Sequence, residues 1–278
     1  MSKIIISVAT TGSWTTRKHT PYVPITPEEI AAAAIESWRE GAAIVHIHAR
    51  DAQERVTCDK EVLGRIVDLI RGAGCDVLIN LSTSGGVGVT SEEDRFNPLE
   101  FNPDLVSFDA GSLNFRDRVF LNPPDFLERL AARCLEKRVK PEIECFDTSM
   151  ILNALRIAEK GLIKPPYFFQ FVLGLRGGAP PTVKQLVHML DHIPPGSPWS
   201  ICGIGPHQLP LNVVAIGMGG HARTGLEDNI HYAPGQLATS NAQLVARLVR
   251  IARECGREPA TPTEAREILG TSRARDQE

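Results

Sequence analysis

Short runs of aliphatic residues alternate along the chain with stretches whose apolar positions recur every three to four residues. Ile4-Ile5-Ile6-Ser7-Val8-Ala9 is the first run, and Thr26-Pro27-Glu28-Glu29 opens an alanine-rich helix through Trp38 that ends before Gly41. Ala43-Ile44-Val45-His46-Ile47-His48 reads as strand two, and Leu63, Ile66, Val67 and Ile70 give the next helix its apolar face, closed by Gly72. Strand three is Asp76-Val77-Leu78-Ile79-Asn80-Leu81, with the loop Ser82-Thr83-Ser84-Gly85-Gly86-Val87-Gly88 after it. Leu105-Val106-Ser107-Phe108 is strand four, its helix starting after Asn122-Pro123-Pro124. Glu142-Ile143-Glu144-Cys145-Phe146 is strand five, with a helix over 149–160 that ends at Gly161. Tyr167-Phe168-Phe169-Gln170-Phe171-Val172 is strand six, followed by a helix over 183–190. Trp199-Ser200-Ile201-Cys202-Gly203 and a weaker strand at His221-Ala222-Arg223 complete the set, with helices near 209–216 and 239–254.

These are eight β-then-α units without a break in composition. They predict a closed α/β barrel, the (β/α)8 TIM barrel, spanning 1–278 as a single domain with a C-terminal helical extension. The competing open doubly wound sheet would need a nucleotide fingerprint, and no Gly-x-Gly-x-x-Gly follows strand one.

Composition narrows the function classes. Thirty basic against 33 acidic residues, without a basic block, give nucleic-acid binding no electrostatic support. No apolar run approaches the roughly 18 residues that span a bilayer, and the first residues lead straight into a strand, so a cytoplasmic protein is expected. The six cysteines are scattered without a Cys-x-x-Cys pair and read as reduced apolar residues rather than a disulfide or zinc framework.

A barrel gathers the carboxyl ends of its strands around one mouth. Thr10, Thr11, His46, His48, Ser82, Ser107, Asp109, Glu144, Arg223, Glu227 and Asp228 all fall there. His46 and His48 lie two residues apart, so on a strand they face the same way. Such a pair either holds a metal ion or bonds to backbone in the core. Two histidines with one carboxylate make a divalent-metal site with open positions, and Glu227 is the candidate third ligand. Glu144 stands inside an otherwise apolar strand, where a carboxylate needs a partner. Arg223 between Glu144 and Asp228 could orient a substrate carboxylate, hold a proton-transfer group or serve as structural glue.

Along nearly its whole length the chain resembles the β-keto acid cleavage enzymes. The resemblance rests on Thr11-Gly12, Thr15-Thr16-Arg17, Pro24-Ile25-Thr26-Pro27-Glu28-Glu29, His46-Ile47-His48 and Ser82-Thr83 with Gly85-Gly86-Val87-Gly88. Gly111-Ser112-Leu113-Asn114-Phe115, Gln170-Phe171-Val172-Leu173-Gly174, Gly219-Gly220-His221, Gly225-Leu226-Glu227-Asp228-Asn229 and Ser240-Asn241-Ala242-Gln243-Leu244-Val245 extend it. It implies a zinc-dependent TIM barrel that reacts a β-keto acid with acetyl-CoA to give acetoacetate and a new acyl-CoA. It further implies Zn2+ on His46, His48 and Glu227, with Arg223 and Asp228 as a proton-transfer pair and Glu144 steadying the arginine. Substrate contacts are expected at Ser82, Gly85, Gly86, Ser107, Asp109 and Trp14, in a homo-oligomer, dimer or tetramer.

Two departures bear on the substrate. Trp14 stands where the aminohexanoate-cleaving members of the family carry a glutamate for the substrate's amino group, and Ser107 and Asp109 replace a usual threonine and asparagine. Without that glutamate a primary amine lacks its counter-charge. Trp14 suits an apolar tail or, by cation–π contact, a quaternary ammonium. A different metal-dependent lyase or hydrolase on the same barrel and a silent metabolite-binding protein are the alternatives, separated by acetyl-CoA dependence and metal analysis. Arg17, Lys18, Arg116 and Arg118 are candidate contacts for the coenzyme's phosphates.

Overall fold

The computed structural model describes residues 3–86 and 90–271. Val87 and Gly88 of the glycine-rich loop therefore lie outside the described residues. Eight parallel strands close into a barrel in chain order: β1 (Ile6–Ala9), β2 (Ile44–Ile47), β3 (Leu78–Leu81), β4 (Leu105–Asp109), β5 (Lys140–Cys145), β6 (Phe168–Leu173), β7 (Trp199–Gly203) and β8 (His221–Thr224). Pairing of Ala222 with Ile6 and Thr224 with Val8 makes the closure.

The outer ring consists of α1 (Pro27–Arg39), α2 (Lys60–Gly72), α3 (Pro124–Lys137), α4 (Thr148–Glu159), α5 (Val183–Leu190), α6 (Gln208–Gly217) and α7 (Asn241–Glu254). Thr26 caps α1 as its sequence predicts: its hydroxyl accepts from the Glu29 amide, and the Glu29 carboxylate accepts from the Thr26 amide. The third unit departs from the expected eight. Between β3 and β4 the chain forms a 3-10 helix over Asp94–Phe101 instead of an α-helix. Pro98 within it has no amide hydrogen to give an i→i−4 ladder, and the turn tightens. Hairpins over residues 49–57, 113–120 and 231–237 also decorate the mouth.

Beyond α7, α8 (Pro262–Leu269) folds under the amino-terminal end of the barrel. Ala260, Ala265 and Leu269 pack there against Ile5, Ile44, Leu78, Leu105 and Phe168. Each large side chain buried in this floor contributes about 1.5–3 kcal/mol of transfer free energy. Arg257 ties the segment down by donating to the backbone carbonyls of Lys3, Ile216 and Gly219.

The strands' period of two governs what lies above the floor. Two residues along from Ile5, Leu78 and Phe168 come Ser7, Asn80 and Gln170 on the same faces; Glu142 and Ser200 join them, and all five are buried. The Asn80 amide donates to the Glu142 carboxylate across the interior. Branched aliphatic layers usually fill such a barrel; here only the floor is apolar, and polarity begins one layer below the mouth.

Candidate metal centre at the barrel mouth

His46 lies on β2, in register with Ala9 and Asn80, and His48 follows one residue beyond the strand end. Their rings meet edge to face with centroids 5.1 Å apart. Glu227 arrives from the loop after β8, placing its Oε1 3.8 Å from His46 Nε2 and 3.5 Å from His48 Nε2. One ligand atom from each of the three lies within 4.8 Å of the others.

That loop is held from several sides. The Glu227 amide donates to the Ala9 carbonyl, and the Thr15 hydroxyl donates to the Leu226 carbonyl. Asn241, the first residue of α7, accepts from the Leu226 amide and donates to the Thr10 carbonyl, joining the loop to the end of β1. Gly12 lets the carboxylate approach: its φ is +70°, and a Cβ there would stand 2.5 Å from Glu227 Cγ.

Arg223, on β8, is buried among three carboxylates. Its Nε and Nη2 donate to the two Asp228 oxygens at 3.0 and 3.1 Å, a forked pair. Nη1 donates to Glu144 at 3.2 Å and Nη2 to Glu227 at 2.9 Å. The arginine thus reaches the histidine cluster itself as well as the two carboxylates expected from sequence.

Electrostatics sets the protonation states. Burial, reinforced by the Arg223 charge, drops the His46 pKa well below the ordinary histidine value, leaving a neutral ring with a lone pair. Burial alone would raise Glu227, but His48 and Arg223 outweigh it and hold the carboxyl well below its usual range. A neutral imidazole beside an ionised carboxylate is the state a divalent cation requires. His46 Nδ1, His48 Nδ1 and Glu227 Oε2 are buried without a hydrogen-bond partner among the described residues. The donor set and the surplus of carboxylates over guanidinium therefore suit a divalent metal. Burial and then Asp109 raise Glu144 well above the usual range, and burial raises Asp109 in turn.

A cavity of about 790 Å³ opens over this centre. Ser82, Ser107, Asp109, Glu144, Arg223 and Trp14 face it. Gly85 and Gly86 do not line it; the Gly85 carbonyl instead accepts from the Thr90 hydroxyl. Ser107 Oγ accepts from the Thr83 amide at 3.0 Å and lies 3.5 Å from Thr83 Oγ1, while Ser82 Oγ lies 3.0 Å from Ser84 Oγ. Trp14 is half exposed, and the cation over its ring is Arg116, 4.1 Å from the centroid. Arg17 is engaged by Glu29 and Glu54, which removes it as a phosphate contact in this conformation.

Sequence reasoning gave no role to Arg50, Asn241 or Glu142. Arg50 continues the alternation of His46 and His48, and its buried guanidinium donates to the carbonyls of Gly12, Thr15 and Glu54, fixing the loop behind Glu227. The alternation was a usable signal for it; for Asn241, 14 residues after Glu227, spacing carried none.

A family model described as beta-keto acid cleavage enzyme matches residues 3–271. The chain belongs to this family. It is 44% identical to 3-keto-5-aminohexanoate cleavage enzyme of Fusobacterium nucleatum subsp. nucleatum, over 97% of this chain and 98% of that protein. It is 38% identical to 3-oxoadipate:acetyl-CoA acetyltransferase of Cupriavidus necator, over 96% and 94%. Identity to 3-dehydrocarnitine:acetyl-CoA trimethylamine transferase of Rhizobium meliloti is 34%, over 96% of each chain. Among solved structures, apo ObcA superposes with a TM-score of 0.80 at 23% identity, over 90% of this chain and 66% of that one, a likeness of fold alone. This β-keto acid cleavage family member has, among the described residues, no helix long and apolar enough to cross a membrane.

Proposed function

We propose that this protein exchanges acyl groups between a β-keto acid and acetyl-CoA, yielding acetoacetate and a new acyl-CoA. The observation that carries the reading is the convergence of His46, His48 and Glu227 with Arg223, which bridges Glu227 to Asp228, in a chain of this family. His46, His48 and Glu227 would hold the metal, with zinc the best match to two imidazoles and a carboxylate with open positions. Once bound, the cation supplies Lewis acidity, which polarises a ketone and stabilises negative charge on its oxygen.

The remaining work belongs to the chain's own groups. Burial lifts the Asp228 carboxyl above the ordinary aspartate value while Arg223 pulls it back, which makes it a stronger base than a solvated carboxylate. Asp228 is the group to take a proton from the carbon between the keto and carboxylate groups of the β-keto acid, whose carbanion then attacks the thioester carbonyl of acetyl-CoA while the R–CO group passes to the coenzyme sulfur, with Arg223 holding the two Asp228 oxygens in a fixed plane. Glu144 fixes the other side of the arginine. Ser107 can turn its hydroxyl toward a substrate oxygen, and Ser82 and Asp109 complete the wall. A primary-amine substrate is disfavoured: among the described residues the acidic groups lining the cavity are Asp109, Glu144, Glu227 and Asp228, all in the deep cluster, and none of these accompanies Trp14. A cytoplasmic homo-oligomer, dimer or tetramer, completes the reading.

Acetoacetate formation from acetyl-CoA and a panel of β-keto acids, alongside metal analysis, tests it. Turnover is expected only with acetyl-CoA present and is expected to vanish in His46→Ala. Equal turnover in that variant would remove the metal from the account, and cleavage independent of acetyl-CoA would replace acyl exchange with another lyase chemistry.

A further inference from the structure

We propose that Arg116, laid on Trp14 at the rim of the cavity, is a specificity-determining residue that selects β-keto acids carrying a second carboxylate at the far end. The proposal rests on the β-keto acid reading above and adds the substrate class.

The hairpin over residues 113–120 brings Arg116 to its two-residue tip, since Phe115 pairs with Arg118. Arg116 takes φ +57° there, a left-handed backbone that glycine or asparagine adopts with less strain. A long cationic side chain kept at a strained tip points to a role for the side chain itself. Its guanidinium lies 4.1 Å from the Trp14 ring centroid, and Trp14 is in turn stacked on His19 at 6.3 Å. Stacking of this kind uses the flat face of the guanidinium and leaves its edge N–H donors directed outward in the plane. Arg116 Nε is buried without a hydrogen-bond partner among the described residues, although the residue lines the cavity. The adjacent Asp117 lies 3.7 Å from Arg176.

The rest of the outer cavity wall sharpens the point. Phe115, Phe120, Leu175 and Tyr232 supply apolar surface, and the four lining carboxylates lie deep around Arg223 and the histidines. Arg247, the other outer guanidinium, donates to the Tyr232 carbonyl. A substrate whose keto-acid end sits over the histidine cluster would thus extend along an apolar wall toward a rigidly backed cation. An anionic terminus gains a charge-assisted pair there. A quaternary ammonium would have to displace Arg116 from Trp14 and would meet its charge.

The test compares wild type with Arg116→Met, which keeps an unbranched apolar stem on Trp14 and removes the charge. Initial rates are measured with acetyl-CoA and three keto acids of matched length, ending in a carboxylate, a methyl or a trimethylammonium group. Wild type should prefer the dicarboxylate, and Arg116→Met should raise its KM roughly tenfold to a hundredfold, leaving the methyl-terminated substrate and the KM for acetyl-CoA unchanged. A wild-type preference for either other tail, or an effect confined to acetyl-CoA, overturns the proposal; the latter would make Arg116 a coenzyme contact. Calorimetry with glutarate, a dicarboxylate with no keto group to cleave, separates this inference from the reading beneath it. Tighter binding to wild type than to Arg116→Met without turnover of any keto acid would sink the acyl-exchange reading while the anion site stands. Equal glutarate binding by both proteins overturns the anion site whatever the turnover.

Discussion

The two ends of the barrel use the same strands for opposite purposes. At the amino end Ile5, Ile44, Leu78, Leu105 and Phe168 meet α8 in an apolar floor, where packing supplies stability and ion pairs such as Arg266 with Asp104 stand at its edge. At the carboxyl end the same strands and the loops after them deliver His46, His48, Asp109, Glu144, Arg223, Glu227 and Asp228 into a buried ionic cluster. Burying that cluster costs desolvation energy that ion pairing offsets only in part. The contrast teaches that stability is concentrated below and spent above, with the fold's rigidity carried from one to the other by short strands.

Substitutions at each end should break one property and spare the other. Glu227→Ala is expected to have the largest effect: metal measured in the purified protein falls from stoichiometric to absent, acetoacetate formation is lost, and circular dichroism stays that of an intact barrel. Collapse of the fold instead would show that the ionic cluster holds the barrel together. Leu269→Ala, in the floor, should lower the unfolding free energy by about 2–5 kcal/mol and leave kcat and KM of the folded fraction unchanged. A change in KM would mean that the ends are coupled.

Glu142 lies between the two and titrates accordingly. Burial pushes its carboxyl up to about 7 from the ordinary 4.5, with Arg223 offsetting part of the rise. Between those pH values the folded protein binds a proton that the unfolded chain has released, so stability contributed by this group falls as pH rises through the window. Glu142→Gln cannot ionise. Denaturation curves for variant and wild type should coincide near pH 4 and separate above pH 7, the variant gaining about 1–3 kcal/mol. A gain at acid pH, or none at pH 8, contradicts the assignment. The smallest effect on stability is expected from Gly12→Ala, about 1–2 kcal/mol for the left-handed backbone. Its new Cβ would collide with Glu227, so metal affinity, followed by competition with a chelator, should fall about 10–100-fold.

The floor and the mouth also differed in how far the sequence exposed them. Alternation of β-branched runs with helical periodicity gives all eight barrel strands, because a strand buried on both faces has to be apolar wherever it does not serve the site. Residues 94–101 were not legible as a 3-10 helix, since a single proline decides between tight and regular turns. His46 and His48 were legible because two polar residues on one face of an apolar strand need a common partner. The Glu227 carboxylate, 179 positions after His48 by their numbers, has no local signature; its place at the mouth after the last strand made it a candidate, and resemblance singled it out. The roles of Arg50 and Asn241 stayed hidden for a related reason: both hold backbone carbonyls or amides of remote loops, and such contacts leave no pattern in the residues that receive them. The cover of Trp14 by Arg116 arises from a hairpin 100 residues away and reverses what an aromatic at that position suggests alone.

The plug formed by α8 makes the barrel a well with a closed base. Solvent hydrogen reaches the Asp228 neighbourhood through the mouth, where a coenzyme thioester would be seated during the reaction. A hydrogen lifted from the carbon between the keto and carboxylate groups would then be returned to that carbon in acetoacetate faster than it washes out, so reaction in heavy water would leave acetoacetate carrying less deuterium than free exchange dictates.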